Sequence, residues 1–136
     1  MKDRLGLEIV HTIVGNWINK HMKTRSKDFI LGEETPWEPA GEGVCRQIMA
    51  YDGQVMLVQV KFVKGAIGLP HEHFHSQASF VVSGKFEVEI GEQKKVLSAG
   101  DSFYVEPDMR HGVVCLEAGV LIDTFTPMRL DFLKQN

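Results

Sequence analysis

Residues 65–84 read GAIGLPHEHFHSQASFVVSG, and the run HEHFHSQ at 71–77 within them places three of the chain's six histidines in five positions. On a strand, residues two apart project to the same side, so His71 and His73 present two imidazoles to one space. That is the arrangement a metal ion needs. Gln77, at the start of the next strand, can add an amide oxygen, and His111, which opens a later β-prone run, can close the set across the sheet. Three neutral imidazoles and one amide oxygen make a site for a divalent transition metal: zinc, nickel, manganese, cobalt or iron, with water or substrate completing the shell. The sequence does not choose among them. His75 falls in the turn after His73 and reads as a pocket or supporting residue. Taken singly, a histidine on a strand face is more often an ordinary hydrogen-bonded side chain than a ligand.

Outward from the histidines, VMLVQVKFV at 55–63, KFEVEI at 85–90, HGVVCLE at 111–117 and the stretch 120–126 are short β-prone runs. In KFEVEI the alternation is clean, with Phe86, Val88 and Ile90 on one face and Lys85, Glu87 and Glu89 on the other, as in a sheet dry on one side only. The Gly-containing stretches VSGK, EIGEQ, SAGD and EAGV read as the turns between strands. Closely spaced strands with no helical pattern between them predict an all-β antiparallel sandwich or barrel.

Upstream, apolar residues from Leu5 to Met22 recur at steps of three and four, the period of one amphipathic helix. Its stripe is expected to face the body of the domain or a second subunit. EETPWEPAGEG at 33–43 breaks both periods and reads as a connection. The expected organisation is a helix and extended segment over 1–32 and a barrel domain over 33–136.

With 136 residues, 43% hydrophobic and 24% charged, the chain suits one core. A formal charge of −3 and the lack of any Lys/Arg block argue against a nucleic-acid face and against attraction to an anionic membrane. Cys45 and Cys115 form no CxxC pattern, so neither a zinc ribbon nor a disulfide framework is suggested. The first residues, which include Asp3 and Glu8, make a poor secretion signal, and a cytoplasmic protein is expected.

These residues resemble the two sequence motifs of the cupin superfamily. In the first motif Gly65, His71, His73 and Gly84 stand at the family's places, with Gln77 where the family has Glu. In the second, Gly100 to His111 keeps its length, although Pro107 falls one place late. The resemblance implies a double-stranded β-helix, the jelly-roll-like barrel, and a metal held by His71, His73, Gln77 and His111. A neutral Gln leaves the metal's double charge undiminished, which favours polarising a substrate oxygen over redox chemistry with dioxygen.

More narrowly, residues 50–101 and the closing stretch LIDTFTPMRLDFL at 121–133 look like the KdgF-type pectin-degradation cupins. That family linearises 4,5-unsaturated uronate monosaccharides to 5-keto-4-deoxyuronate. The resemblance then implies Asp123 as general acid or base, Phe125 packing on the sugar, and Arg129 gripping the uronate carboxylate and assisting catalysis. Of the neighbours Phe103 and Tyr104, which flank opposite faces of one strand, one lines the pocket, and Tyr104 is assigned there to the substrate. Plainer readings remain: an exposed strand carboxylate for Asp123, core packing for Phe125, and a surface pair with Asp131 or Glu117 for Arg129. Cupins commonly pair, so a homodimer is expected. Other readings of the same barrel are a cupin dioxygenase and a non-catalytic module that binds sugar acids.

Overall fold

Runs rich in Val, Ile and Phe favour the extended, half-buried state. The computed structural model describes residues 9, 11–16 and 24–133, and in it these runs form eight strands. In chain order they are β1 (Glu38–Gly41), β2 (Val44–Tyr51), β3 (Met56–Phe62), β4 (Ile67–His71), β5 (Ser76–Ile90), β6 (Gln93–Ser98), β7 (Ser102–Val105) and β8 (His111–Thr126). Every pairing between them is antiparallel.

At 15 and 16 residues, β5 and β8 are long enough to serve two sheets each. The first half of β8 pairs with β4, through His71↔His111, and its second half with β3, through Val58↔Asp123. Likewise β5 pairs first with β7 and then with β6. Because β5 and β8 also pair with each other along their length, the two sheets share their central strands and wrap into the expected double-stranded β-helix. Val58, Val81, Phe86, Leu121 and Met128 are among the residues that fill its core.

Two expected turns are not turns. VSGK and EAGV lie inside β5 and β8, where the register shifts between Val81 and Phe86. Gly84 adopts φ +83°, and a Cβ there would stand 2.6 Å from the Glu117 carbonyl oxygen. At Gly119 a Cβ would stand 2.0 Å from the Ser83 carbonyl oxygen. The two glycines face each other where the strands bend from one sheet into the other, and they permit a backbone approach that a side chain would block. EIGEQ and SAGD do turn, with Gly91 and Gly100 at positive φ.

The stretch read as a connection over 33–43 contains β1, which pairs with β2, and Pro39 sits on this edge strand. Ahead of it the 3₁₀ turn Gly32–Glu34 covers the outer face of β2, where the buried Gln47 amide donates to the carbonyls of Gly32 and Thr35, at 2.7 Å each. Of the amphipathic helix expected over residues 5–22, residues 9 and 11–16 are helical and the remainder lies outside the described residues. Ile9 and Ile13 are 58% and 62% exposed, so at these positions the stripe does not pack on the barrel. No helix among the described residues is long and apolar enough to cross a membrane.

Candidate metal centre and active site

His71 ends β4 and His111 begins β8, and the register sets them opposite each other. Their ring centroids lie 4.4 Å apart. His73 stands two residues beyond the end of β4, so the loop after the strand, rather than strand alternation, aims it. Its ring centroid is 5.5 Å from His71 and 4.8 Å from His111. Ligand atoms of the three histidines all fall within 4.8 Å of one another.

The proton positions favour a cation among them. The Nδ1–H of His71 donates to the Leu69 carbonyl at 2.9 Å, and that of His111 to the Met109 carbonyl at 2.8 Å. Burial pushes His111 down to about 4, so at neutral pH its ring is uncharged and its Nε2 carries a bare lone pair. Burial, followed by the charge of Arg129, also lowers His73. Gln77 Oε1 lies 3.0 Å from His73 Nε2 and 3.2 Å from His111 Nε2. Two acceptors, the His111 nitrogen and the amide oxygen, thus face each other with no proton to share. A divalent cation satisfies both, and the donor set suits one.

Gln77 is oriented by what lies behind it. Its amide nitrogen donates to Ser79 Oγ at 3.0 Å, and the Ser79 hydroxyl donates to Asp123 Oδ1 at 2.6 Å. Gln77 and Ser79 alternate on β5 and pair with Phe125 and Asp123 of β8, so all four side chains share the inner face. Burial raises the Asp123 carboxyl to about 6, with the Ser79 hydrogen bond pulling the other way.

A cavity of about 850 Å³ opens inside the barrel, and His71, Gln77, His111, Asp123, Phe125 and Arg129 are on its wall. Phe125 is buried in the core and also faces the cavity, its ring 5.7 Å from that of His73. Arg129 is buried rather than on the surface. Its guanidinium donates to both Asp131 oxygens, from Nε at 3.0 Å and from Nη2 at 2.8 Å, which leaves Nη1 toward other partners. Glu117 pairs instead with Lys85, at 3.7 Å.

One assignment is corrected. Tyr104 is 61% exposed on the outer face of β7, whereas Phe103, one residue earlier, lines the cavity. Successive residues of a strand point to opposite faces, and the pairing Ser79↔Phe103 puts Phe103 inside with Asp123. His75 takes no place among the three converging histidines. It is buried in the turn, its Nε2–H donates to the Met128 carbonyl at 3.2 Å, and its ring stacks on Phe74.

Three features were missed in the sequence: Ser79, Phe132 and Arg46, of which the last two also line the cavity. Ser79 carried a signal, since it stands two residues from Gln77 on one strand. Arg46 did not, because VCRQIMAY lacks the alternation that marks an inner face.

Residues 58–125 match the cupin domain family. The chain is a cupin. Over 107 residues, 77% of this cupin and 97% of the relative, it is 48% identical to the pectin degradation protein KdgF of Dickeya dadantii. Among solved structures it is similar to an RmlC-like cupin from Shewanella frigidimarina, with 48% identity, 80% of this cupin and 98% of that chain covered, and a TM-score of 0.78. KdgF from Halomonas sp. is similar at 41% identity, with 79% and 100% of the two chains covered and a TM-score of 0.76.

Proposed function

We propose that this cupin linearises 4,5-unsaturated uronate monosaccharides to 5-keto-4-deoxyuronate, as a cytoplasmic step in the breakdown of uronate polysaccharides. One observation carries the reading: Asp123, a carboxyl raised into the range of a working acid or base, shares one cavity with His71, His111 and Gln77 and is joined to Gln77 through Ser79. The identity to KdgF over nearly all of that relative supports it.

His71, His73, Gln77 and His111 would hold a divalent transition metal, which supplies Lewis-acid polarisation of a substrate oxygen. Asp123, as the carboxylate, accepts the proton of the C1 hydroxyl. The C1–O5 bond then breaks, leaving an aldehyde at C1 and an enolate across C5 and C4. Asp123 returns the proton to C4, and the 5-ketone results with no net gain or loss of atoms. Ser79 keeps the carboxyl aimed through its 2.6 Å hydrogen bond. Phe125 offers a ring face to the sugar, and the remaining N–H groups of Arg129 meet the acid group. A homodimer is part of this proposal, with the N-terminal helix or residues 28–32 as its contact. Phe29 and Leu31 are exposed there.

The test follows the ultraviolet absorbance of the conjugated enol-ether acid as the ring opens. Wild-type protein is expected to exceed the spontaneous rate. Asp123→Asn is expected to fall to that rate while its metal content is retained. A wild-type rate equal to the spontaneous one, in protein shown to hold its metal, would sink the reading.

A further inference from the structure

Arg46 on β2 belongs neither to the metal-ligand pattern nor to the closing stretch that carries Asp123 and Arg129. The register places it on the inner face, opposite Val60, which in turn pairs with Leu121, and both of these are buried. It lines the same cavity as Gln77 and Asp123. From Asp123 it stands two strands across and two residues along, roughly 12 Å between Cα atoms at ordinary strand spacing and rise. An extended Arg side chain and one monosaccharide fill that span.

A cation on an inner face requires partners. Arg46 donates from Nε to Glu38 at 2.7 Å, and its guanidinium carbon lies 3.7 Å from the centre of the Phe132 ring. The stacking and the single hydrogen bond fix the plane of the group. Among the described residues, its two Nη groups have no acceptor. Arg129 repeats the arrangement from the far end of the chain, its guanidinium carbon 4.1 Å from the same ring and its counter-carboxylate on Asp131. The two guanidiniums are therefore no farther apart than these two ring distances together. Glu38 and Asp131 are absent from the cavity wall, whereas Arg46 and Arg129 form part of it. Both cations thus border the cavity with N–H groups to spare, Nη1 and Nη2 on Arg46 and Nη1 on Arg129.

We propose that Arg46 and Arg129, both resting on Phe132, hold the substrate's carboxylate between them, and that Arg46 makes the cavity select an acid sugar over a neutral one. The identity of the acid as a uronate rests on the ring-opening reading. A carboxylate offers about four lone-pair sites, enough for one guanidinium edge and a second donor. Arg129 alone has part of its edge occupied by Asp131. Arg46 supplies what it lacks.

The experiment compares wild type with Arg46→Gln and Arg46→Lys, each checked for folding by circular dichroism and for metal content. Calorimetry measures binding of galacturonate, an acid that cannot ring-open to the ketone, and of its neutral methyl ester. Steady-state kinetics use the unsaturated uronate. Arg46→Gln is expected to weaken galacturonate binding and raise KM by about 10- to 100-fold, as for loss of a charge-assisted hydrogen bond. Its kcat should fall far less, and its affinity for the ester should stay within about threefold of wild type. Arg46→Lys keeps a cation for Glu38 but loses the fork, and its losses should be intermediate. Either variant, folded and with metal, binding galacturonate as tightly as wild type overturns the proposal, as does a wild type that does not prefer the acid to the ester. Should wild type open no rings yet hold galacturonate through Arg46, the reaction reading falls and the acid site stands. Should ring opening be normal with KM unchanged in Arg46→Gln, the acid site alone falls.

Discussion

The hydrogen-bonded row from Gln77 through Ser79 to Asp123 makes single substitutions informative. Ser79→Ala removes a charge-assisted bond that both aims the Asp123 carboxyl and lowers its pKa. A loss of kcat of about 10- to 100-fold is expected, with the acid limb of the pH–rate profile moved to higher pH. An unmoved profile would mean that Ser79 merely packs. In wild type the base must be ionised, so activity should fall toward acid pH, and the charge of the bound metal, which favours the carboxylate, sets that limb below the metal-free value of about 6. Stability of the metal-free protein carries two opposing signs in the same window. The folded pKa of Asp123 is raised, so the fold binds its proton more tightly than the unfolded chain, and raising pH through about 6 costs stability. Asp123→Asn escapes that cost and should gain up to about 3 kcal/mol over wild type between pH 4 and pH 7, read by urea unfolding. His111 is lowered to about 4, so the unfolded chain binds its proton first, and stability is lost as pH falls from its ordinary 6.5.

Among the elements, β5 and β8 decide whether the barrel closes. Gly119→Ala would put a Cβ 2.0 Å from the Ser83 carbonyl oxygen, and Gly84→Ala combines a 2.6 Å clash with φ +83°. Each is expected to destabilise by at least about 3 kcal/mol, or to prevent folding. Gly65→Ala is the control. It has a similar φ of +85° but open space around it, so only backbone strain of about 1 kcal/mol is expected. Thermal unfolding of the three variants checks the ranking, and equal losses would mean that backbone conformation, rather than the close approach of the strands, sets the cost. The histidines depend on the same elements. β4 and β8 bring His71 and His111 opposite each other, although forty residues separate them in sequence.

For the whole molecule, the metal is expected to be a stabilising ligand as well as a reagent, because its donors come from β4, the loop after it, β5 and β8. Free metal at 100 times its dissociation constant stabilises by about 2.7 kcal/mol, so chelation should lower Tm by roughly 10 °C for a chain of this size. A chelator that leaves Tm unchanged would mean that the site does not hold metal in solution. The proposed homodimer is read at the same scale. Gel filtration of the full chain is expected to give a dimer, and a truncation lacking residues 1–26 that remains dimeric would remove the helix from the contact.

By itself the sequence determined the all-β class, through two-residue alternation, and the resemblance carried by HEHFHSQ, His111 and the closing stretch 121–133 implied the barrel, the metal-binding histidines and the class of chemistry. Only the tertiary structure decided which glycines turn and which let strands cross, since VSGK and EIGEQ look alike until a partner backbone lies against one of them. It also decided Phe103 over Tyr104, because alternation says that two neighbours face opposite ways but not which way is in. Ser79 was legible from its two-residue spacing to Gln77, but Arg46 and Phe132 were not. Phe132 reaches the cavity from the 3₁₀ turn Leu130–Phe132, and Arg46 through the strands that the register sets side by side, a register that belongs to the closed barrel rather than to any single run of residues.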